Sequence, residues 1–422
     1  MNVRGGLTQS SRQEPQQGAG QGALVLGGAH GSLAIARSLG RRGVPVWVLT
    51  ADNRLATLSR FVARSLSWPG PGEAGAVGFL VDLGRRHGLG GWVLFAGSDE
   101  DVRFVAQNHA ALGTVFTLTT PIWDRLRWAC DKRFMNARAD ELGIAHPLTR
   151  YPRTGDDLAD LDLPFPVILK PTVRENRNAF VDAKAWRADD ARSLRTRYNE
   201  AASLVRADQI MVQELIPGGG AEQFSYAAVW DRGVPIGSLV ARRQRQYPIE
   251  FGFTSTLVET IELPEIAATA ARFLTSLDYS GLVEIEFKYD ARDRSYKILD
   301  VNARAWTWIA LGAAAGVDFP ALQWRLASGE RVAPASARRD VRWVFASRDI
   351  VAAAQEMLTG KLSPTEYIRS WRRCAASAVY AWDDPWPAVL DLPLVAMRVA
   401  SRWLSRRNRA AARALQSARL PS

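Results

Sequence analysis

GLVEIEFKYD (residues 281–290) and YKILDVNAR (residues 296–304) decide how this chain is read. Side chains alternate between the faces of an extended strand, so Glu284 and Glu286 share one face while Val283, Ile285 and Phe287 take the other. The same alternation in the second stretch puts Ile298, Asp300 and Asn302 on one face and Leu299 and Val301 on the opposite one. The connecting DARDRS is rich in turn formers, which predicts an antiparallel hairpin. Pairing would gather the carboxylates of Glu284, Glu286 and Asp300 and the amide of Asn302 onto one surface, with Lys288 and Arg304 at its edge. Oxygen ligands of this kind suit Mg²⁺, which takes one or two carboxylates and completes its octahedron with waters and substrate phosphates. A solvated sheet face, its acids paired with nearby arginines, has the same composition, and the pattern alone leaves both readings open.

G-x-x-E-x-E-F-K followed by L-D-V-N-x-R resembles the metal-binding end of the ATP-grasp ligases, the superfamily that includes biotin carboxylase and carbamoyl-phosphate synthetase. The resemblance implies that Glu286, Asp300 and Asn302 hold Mg²⁺, or alternatively Mn²⁺, against the phosphates of ATP, with Arg304 as the cation beside the transferring phosphate. Asp300 stands where most of the superfamily has Glu, and the shorter arm favours monodentate binding. Three further elements follow the order of that family. Asp131-Lys132-Arg133-Phe134-Met135 precedes a helix-like ARADELGI, and the resemblance sends Lys132 to the phosphates. PFPVILKP reads as a short buried strand stopped by Pro171, with Lys170 as a compact point charge for phosphate oxygens. QIMVQELIPGG reads as a strand entering a Pro-Gly turn, which matches the hinge whose backbone binds the adenine edge. Glu214, Leu215 and Ile216 are the hinge positions, and Glu222 is the candidate for the ribose hydroxyls. Where many members carry a glycine-rich loop, this chain has TVRENRNAF, so Arg174 and Arg177 are expected to supply contacts that others take from backbone.

GVPIGSLVARRQRQYPIEFGFTSTLVET reads as two strands joined by a loop holding Arg242, Arg243, Arg245 and Tyr247, an expected anion pocket in which Arg245 joins Arg304 as a catalytic cation. Cations that merely blunt a strand edge give the same pattern. A-R-R-x-R-Q-Y-P followed by F-G-F-T-S-T looks most like the carboxylate–amine ligase branch. The resemblance then implies attack of a substrate carboxylate on the γ-phosphoryl group, an acyl phosphate, and its displacement by an amine. The alternatives are a carboxylase of the biotin-carboxylase type and a non-catalytic nucleotide-binding or membrane-tethered protein.

Ahead of this region, residues 22–52 read strand, glycine loop, helix, strand, a Rossmann-like unit. Its glycines fall as G-G-x-x-G (Gly27, Gly28, Gly31) instead of the dinucleotide G-x-G-x-x-G. WVLFAGSDEDVRFVAQ adds a strand and a helix capped by Ser98 or Asp99, whose loop Gly97-Ser98-Asp99-Glu100 should face the cleft. The expected class is α/β and α+β: a polar tail (1–21), a Rossmann-like pre-ATP-grasp domain (22–121), an ATP-grasp domain (122–330) and a helical basic extension (331–422). The 422 residues carry a net charge of +11, but seven of those charges are arginines after Asp391, where no acid occurs. Basicity confined to a tail argues against nucleic acid as partner. Arg398, Arg402, Arg406, Arg409 and Arg413 share one face of a helix expected from about residue 394, which either docks on the body or lies on an anionic membrane. Two cysteines and four histidines provide neither a disulfide framework nor a zinc motif. No signal-peptide layout or membrane-length apolar run is present, so the reading is cytoplasmic, with small-molecule carboxylate and amine substrates and a homodimer as the allowed assembly.

Overall fold

The computed structural model describes residues 21–391 apart from 52, 174–177, 184, 250, 251 and 253. Arg174, Arg177 and the basic helix expected near residue 394 lie outside the described residues. The first layer is a parallel sheet of β1 (Ala23–Leu26), β2 (Val46–Thr50), β3 (Arg64–Ser67), β4 (Val93–Ala96) and β5 (Thr117–Leu118), in the order β3-β2-β1-β4-β5. ALVL and VLFA are buried along their whole length, as central parallel strands covered on both faces must be. Gly27 (φ +83°) ends β1 in a conformation that L side chains rarely adopt. The next glycines serve close packing: a Cβ on Gly28 would lie 1.8 Å from the Asn53 carbonyl oxygen, and one on Gly31 2.9 Å from that of Ala305. This glycine loop therefore docks the helix His30–Gly40 against the segment that follows Arg304.

The second sheet is small and antiparallel. It contains β6 (Thr149–Arg150), β7 (Val167–Pro171), β8 (Trp186–Ala188) and β9 (Ile210–Glu214), ordered β6-β9-β7-β8. The helix Ala191–Ala202, started by an Asp190–Ser193 capping box, closes its core through Leu194, Tyr198 and Ala201.

The third sheet holds β10 (Gln223–Asp231), β11 (Val234–Tyr247), β12 (Thr254–Ile261), β13 (Gly281–Asp290), β14 (Ser295–Asn302), β15 (Ala335–Ser336), β16 (Arg342–Val344) and β17 (Cys374–Ser377). Its order is β14-β13-β10-β11-β12-β16-β17, with β15 alongside β11. The segment after residue 330 is thus more than a helical extension, because it adds three short strands to the central sheet. Among the described residues no helix is long and apolar enough to cross a membrane.

Two bulges change which side chains face the cleft. The hairpin β13–β14 forms as expected, with Glu284 opposite Asn302 and Glu286 opposite Asp300, but the register then slips so that Phe287 pairs with Ile298. Leu299 is the extra residue. Ile298 consequently turns into the core beside Ile285 and Phe287 instead of joining Asp300, as strict alternation had required. On β11 the register slips between Arg243 and Arg245, with Gln244 as the extra residue. Arg242, Arg243, Arg245 and Tyr247 stand on one long strand, not on a loop, and the bulge sends Arg243 and Arg245 to different surroundings.

Candidate nucleotide and ligation site

Two adjoining cavities meet at Glu286 and Asp300. One, of about 660 Å³, lies between the second and third sheets and is lined by Ile168, Lys170, Glu214, Leu215, Ile216, Lys288 and Leu299 among others. The other, of about 400 Å³, is lined by the Gly97–Glu100 loop, Arg243, Glu284, Asn302, Arg304 and Trp306. The shared carboxylates make one continuous cleft with an apolar end and a charged end. A larger cavity of about 930 Å³ lies between the helix His30–Gly40 and β17. It contains none of the groups just named and belongs to the packing of the C-terminal segment.

The apolar end is built on the hinge. The Glu214 N–H is given to the Leu148 carbonyl (2.9 Å) and the Leu215 N–H to that of Pro166 (3.1 Å), while the Ile216 N–H makes no backbone hydrogen bond among the described residues. The Glu214 side chain is committed to partners within the protein. Its buried carboxylate accepts from the Leu148 N–H (3.0 Å), Arg292 (2.6 Å) and Lys297 (3.1 Å). Burial alone would raise its pKa, but these donors outweigh burial and hold it low. Lys288, expected at the edge of the acidic face, donates to the Ile216 and Gly218 carbonyls (both 2.9 Å) and so ties the hinge to β13, a contact the sequence reading missed. Only its position one strand-step beyond Glu286 could have signalled this. Lys170 donates to Gln213 (2.9 Å) within the same wall. Glu222 lines neither cavity, and its carboxylate accepts from the Gly219 N–H (2.7 Å), closing the turn after the hinge.

At the charged end every expected metal ligand is already engaged. Lys132 Nζ lies 2.5 Å from Asp300 Oδ1, and Arg243 Nη2 lies 3.6 Å from Glu286 Oε1. Asn302 donates to Glu284 (3.2 Å) and accepts from Arg304 (3.3 Å). Glu284 is fully enclosed and also accepts from Ser225 (2.9 Å). Burial and then the neighbouring Glu286 carboxylate push its pKa up. Among the described residues no group of three or more His, Cys, Asp or Glu side chains could hold a metal ion alone. Two facing carboxylates and an amide are nonetheless a fitting donor set for Mg²⁺ that also binds phosphate oxygens and water. Arg304 crosses to the first layer, where its Nε meets Asp99 Oδ1 at 2.6 Å. Burial opposes its charge, but Asp99, Glu284 and Asp300 more than offset this and raise its pKa. The strand-end loop faces the cleft as expected, with Ser98 capping its helix by accepting from the Asp101 N–H (3.0 Å).

Arg245 is not brought to this site. Its guanidinium makes a two-point pair with buried Asp349 (2.9 and 2.8 Å) and donates to Ser370 (2.9 Å), both on the C-terminal segment. The Gln244 bulge is the physical reason.

No curated protein matches the sequence. In three dimensions the chain is similar to the L-amino acid ligase from Bacillus licheniformis, at TM-score 0.57 and 15% identity over 74% of this chain and 76% of that one. It is similar to the biotin carboxylase domain of the Hydrogenobacter thermophilus 2-oxoglutarate carboxylase, which was solved with MgADP and bicarbonate, at TM-score 0.60 and 14% identity over 76% and 73%. The N5-carboxyaminoimidazole synthetase from Staphylococcus aureus gives TM-score 0.58 and 11% identity over 76% and 81%. Residues 239–334, which hold most of β11, all of β12 to β14 and hence the acidic hairpin, match the family described as carbamoyl-phosphate synthase L chain, ATP binding domain. The chain thus shares the ATP-grasp fold of these structures, and its residues 239–334 match that ATP binding domain.

Proposed function

We propose that this chain joins a carboxylate to an amine at the expense of ATP, which leaves as ADP and phosphate. The observation that carries the reading is the meeting of the apolar and charged cavities at Glu286 and Asp300. A nucleotide seated with its base at Ile216 has its phosphates directed to that junction. Glu286, Asp300 and Asn302 are the groups that would hold Mg²⁺ or Mn²⁺. The ion, when bound, supplies charge neutralisation to the phosphates. Lys132 and Lys170 hold phosphate oxygens, and Lys132 exchanges its contact with Asp300 for one with phosphate. Arg243 and Arg304 stabilise the negative charge that develops at the far end of the cleft.

A substrate carboxylate oxygen bonds to the γ-phosphorus as the bond to ADP breaks. The amine nitrogen then bonds to the acyl carbon, the acyl C–O bond breaks, phosphate leaves with the electron pair, and the nitrogen loses a proton. No side-chain nucleophile is required, and the protein contributes position and charge. The test is to incubate the protein with ATP, Mg²⁺, candidate acids and hydroxylamine. Hydroxamate with stoichiometric ADP is expected, whereas AMP and pyrophosphate would sink the proposal. Similarity to the biotin carboxylase domain supports a second reading, activation of bicarbonate. Bicarbonate-dependent ADP release without hydroxamate from any organic acid would select it.

A further inference from the structure

The hinge cavity takes one of its lining residues from the C-terminal segment. Lys361 lines it together with Ile216, Lys170 and Ile249. This lysine stands in the turn between the helices Ala346–Leu358 and Pro364–Trp371, beyond the residues that match the ATP binding domain. Local sequence fixes the shape of that turn, because TGKLSP (359–364) carries the stop signal of one helix and the start signal of the next. Gly360 (φ +70°) adopts the left-handed conformation and its N–H donates to the Met357 carbonyl (3.0 Å), while the Lys361 N–H donates to that of Glu356 (2.8 Å). These are the two bonds of a Schellman cap. Ser363 then opens the second helix with a reciprocal capping box. It accepts from the Glu366 N–H (3.2 Å), and the Glu366 carboxylate accepts from the Ser363 N–H (2.9 Å). Both helices are fastened to the central sheet through Asp349, which accepts from Arg245 on β11 and from Trp371. Lys361 is exposed, but it extends from a pinned backbone.

The other charged groups of this cavity have partners within the protein. Lys170 donates to Gln213, Lys288 to the hinge carbonyls, and Arg187 pairs with Asp189 (2.7 Å). Glu214 is held by Arg292 and Lys297, Asp300 by Lys132, and Glu286 faces Arg243. Lys361 makes no side-chain hydrogen bond or ion pair among the described residues. The acid whose field reaches it is Glu356, which is half-buried and is shared with Arg245. A cation fixed at the solvent side of a nucleotide cavity, with no direct bond to an acid, is suited to an anionic part of the ligand.

We propose that Lys361 binds the phosphates of the nucleotide, adding a third ammonium group to those of Lys132 and Lys170. The inference rests on the seating of a nucleotide in the proposed function and deepens it. Lys361 reads a nucleoside diphosphate or triphosphate by its charge and not by its base. An ammonium group on a flexible stem, with three rotatable donors, suits phosphate oxygens as a point charge. The segment after residue 330 thereby has a part in binding as well as in packing, since the caps and the Asp349 anchor that order its helices also place a phosphate contact.

The test is equilibrium binding to the full-length protein in Mg²⁺ buffer, with ADP and adenosine as the probes. In Lys361→Met, Kd for ADP should rise roughly five- to tenfold, as expected for one lost charge-assisted contact. Kd for adenosine should stay as in wild type, because adenosine carries no phosphate. Lys361→Arg should keep most of the affinity for ADP. Added salt should narrow the gap between wild type and Lys361→Met, since an exposed charge is screened. Equal loss of ADP and adenosine would make Lys361 a wall of the cavity only and overturn the proposal, as would unchanged binding of both. Wild-type protein that binds neither probe removes the nucleotide seating and this inference with it, an outcome distinct from the other two.

Discussion

Asp349→Ala separates the two roles open to Arg245, catalytic cation or structural staple. Asp349 is completely buried and accepts from Arg245 twice, from Thr256 (2.8 Å) and from the indole N–H of Trp371 (3.1 Å). It thereby fastens β11 and β12 to the C-terminal helices Ala346–Leu358 and Pro364–Trp371. Removing it leaves a buried guanidinium with Ser370 and the face of Tyr367, 5.1 Å from the ring centroid, as its remaining direct contacts among the described residues, and Glu356 as the nearby charge. Breaking a buried pair on one side costs about 3–5 kcal/mol. At about 2 °C per kcal/mol for a chain of this size, the melting midpoint should drop by roughly 6–10 °C. Arg245→Met combined with Asp349→Leu should recover at least half of that drop, because no uncompensated charge stays inside. The assay is thermal unfolding followed by circular dichroism, with ADP release measured well below the midpoint. The staple predicts a lowered midpoint and retained turnover. A normal midpoint with lost turnover would return Arg245 to the catalytic machinery and refute the structural assignment.

Glu286→Gln and Asn302→Ala should each reduce Mg²⁺-dependent ADP formation by at least a hundredfold with little change in melting midpoint, and wild-type turnover in both would remove the metal assignment. Acid should weaken the hinge support: side-chain bonds from Arg292 and then Lys297 hold the carboxyl of Asp290 far below the usual carboxylate range. Such a group contributes stability that is complete above its unfolded pKa of about 4 and is lost as pH falls below that value toward the folded one. Asp290→Asn should therefore melt lower at pH 7 yet lose less of its midpoint between about pH 4 and pH 2 than wild type, and parallel curves would disprove the linkage.

Local pattern made much of this cleft readable, and local pattern is also where the reading stopped. Glu286, Asp300, Lys132, Lys170 and the hinge could be placed because each sits on a short element whose ends are marked by Pro, Gly or turn formers, and because their order along the chain is distinctive. Ile298 was misplaced by a bulge, and Arg245 by a strand read as a loop, on which a second bulge parts it from Arg243. A bulge such as those at Leu299 and Gln244 adds a residue without leaving a compositional trace, and everything beyond it changes face. Other misses are contacts between distant segments. Glu222 bonds to its own turn, Lys288 reaches back to the hinge carbonyls, and Asp99 meets Arg304 from 205 residues away. Periodicity carries no information about such pairings. The strands β15 to β17 escaped notice because two to four residues, such as RWV and CAAS, are too few to show alternation and are fixed by the edge they join. The G-G-x-x-G loop shows the converse. Its glycines depart from the dinucleotide pattern, and Gly28 and Gly31 are required instead by approach to the Asn53 and Ala305 carbonyls. A side chain at Gly31 would push on the residue that follows Arg304, so that glycine serves the cleft by positioning its arginine and not by touching a nucleotide.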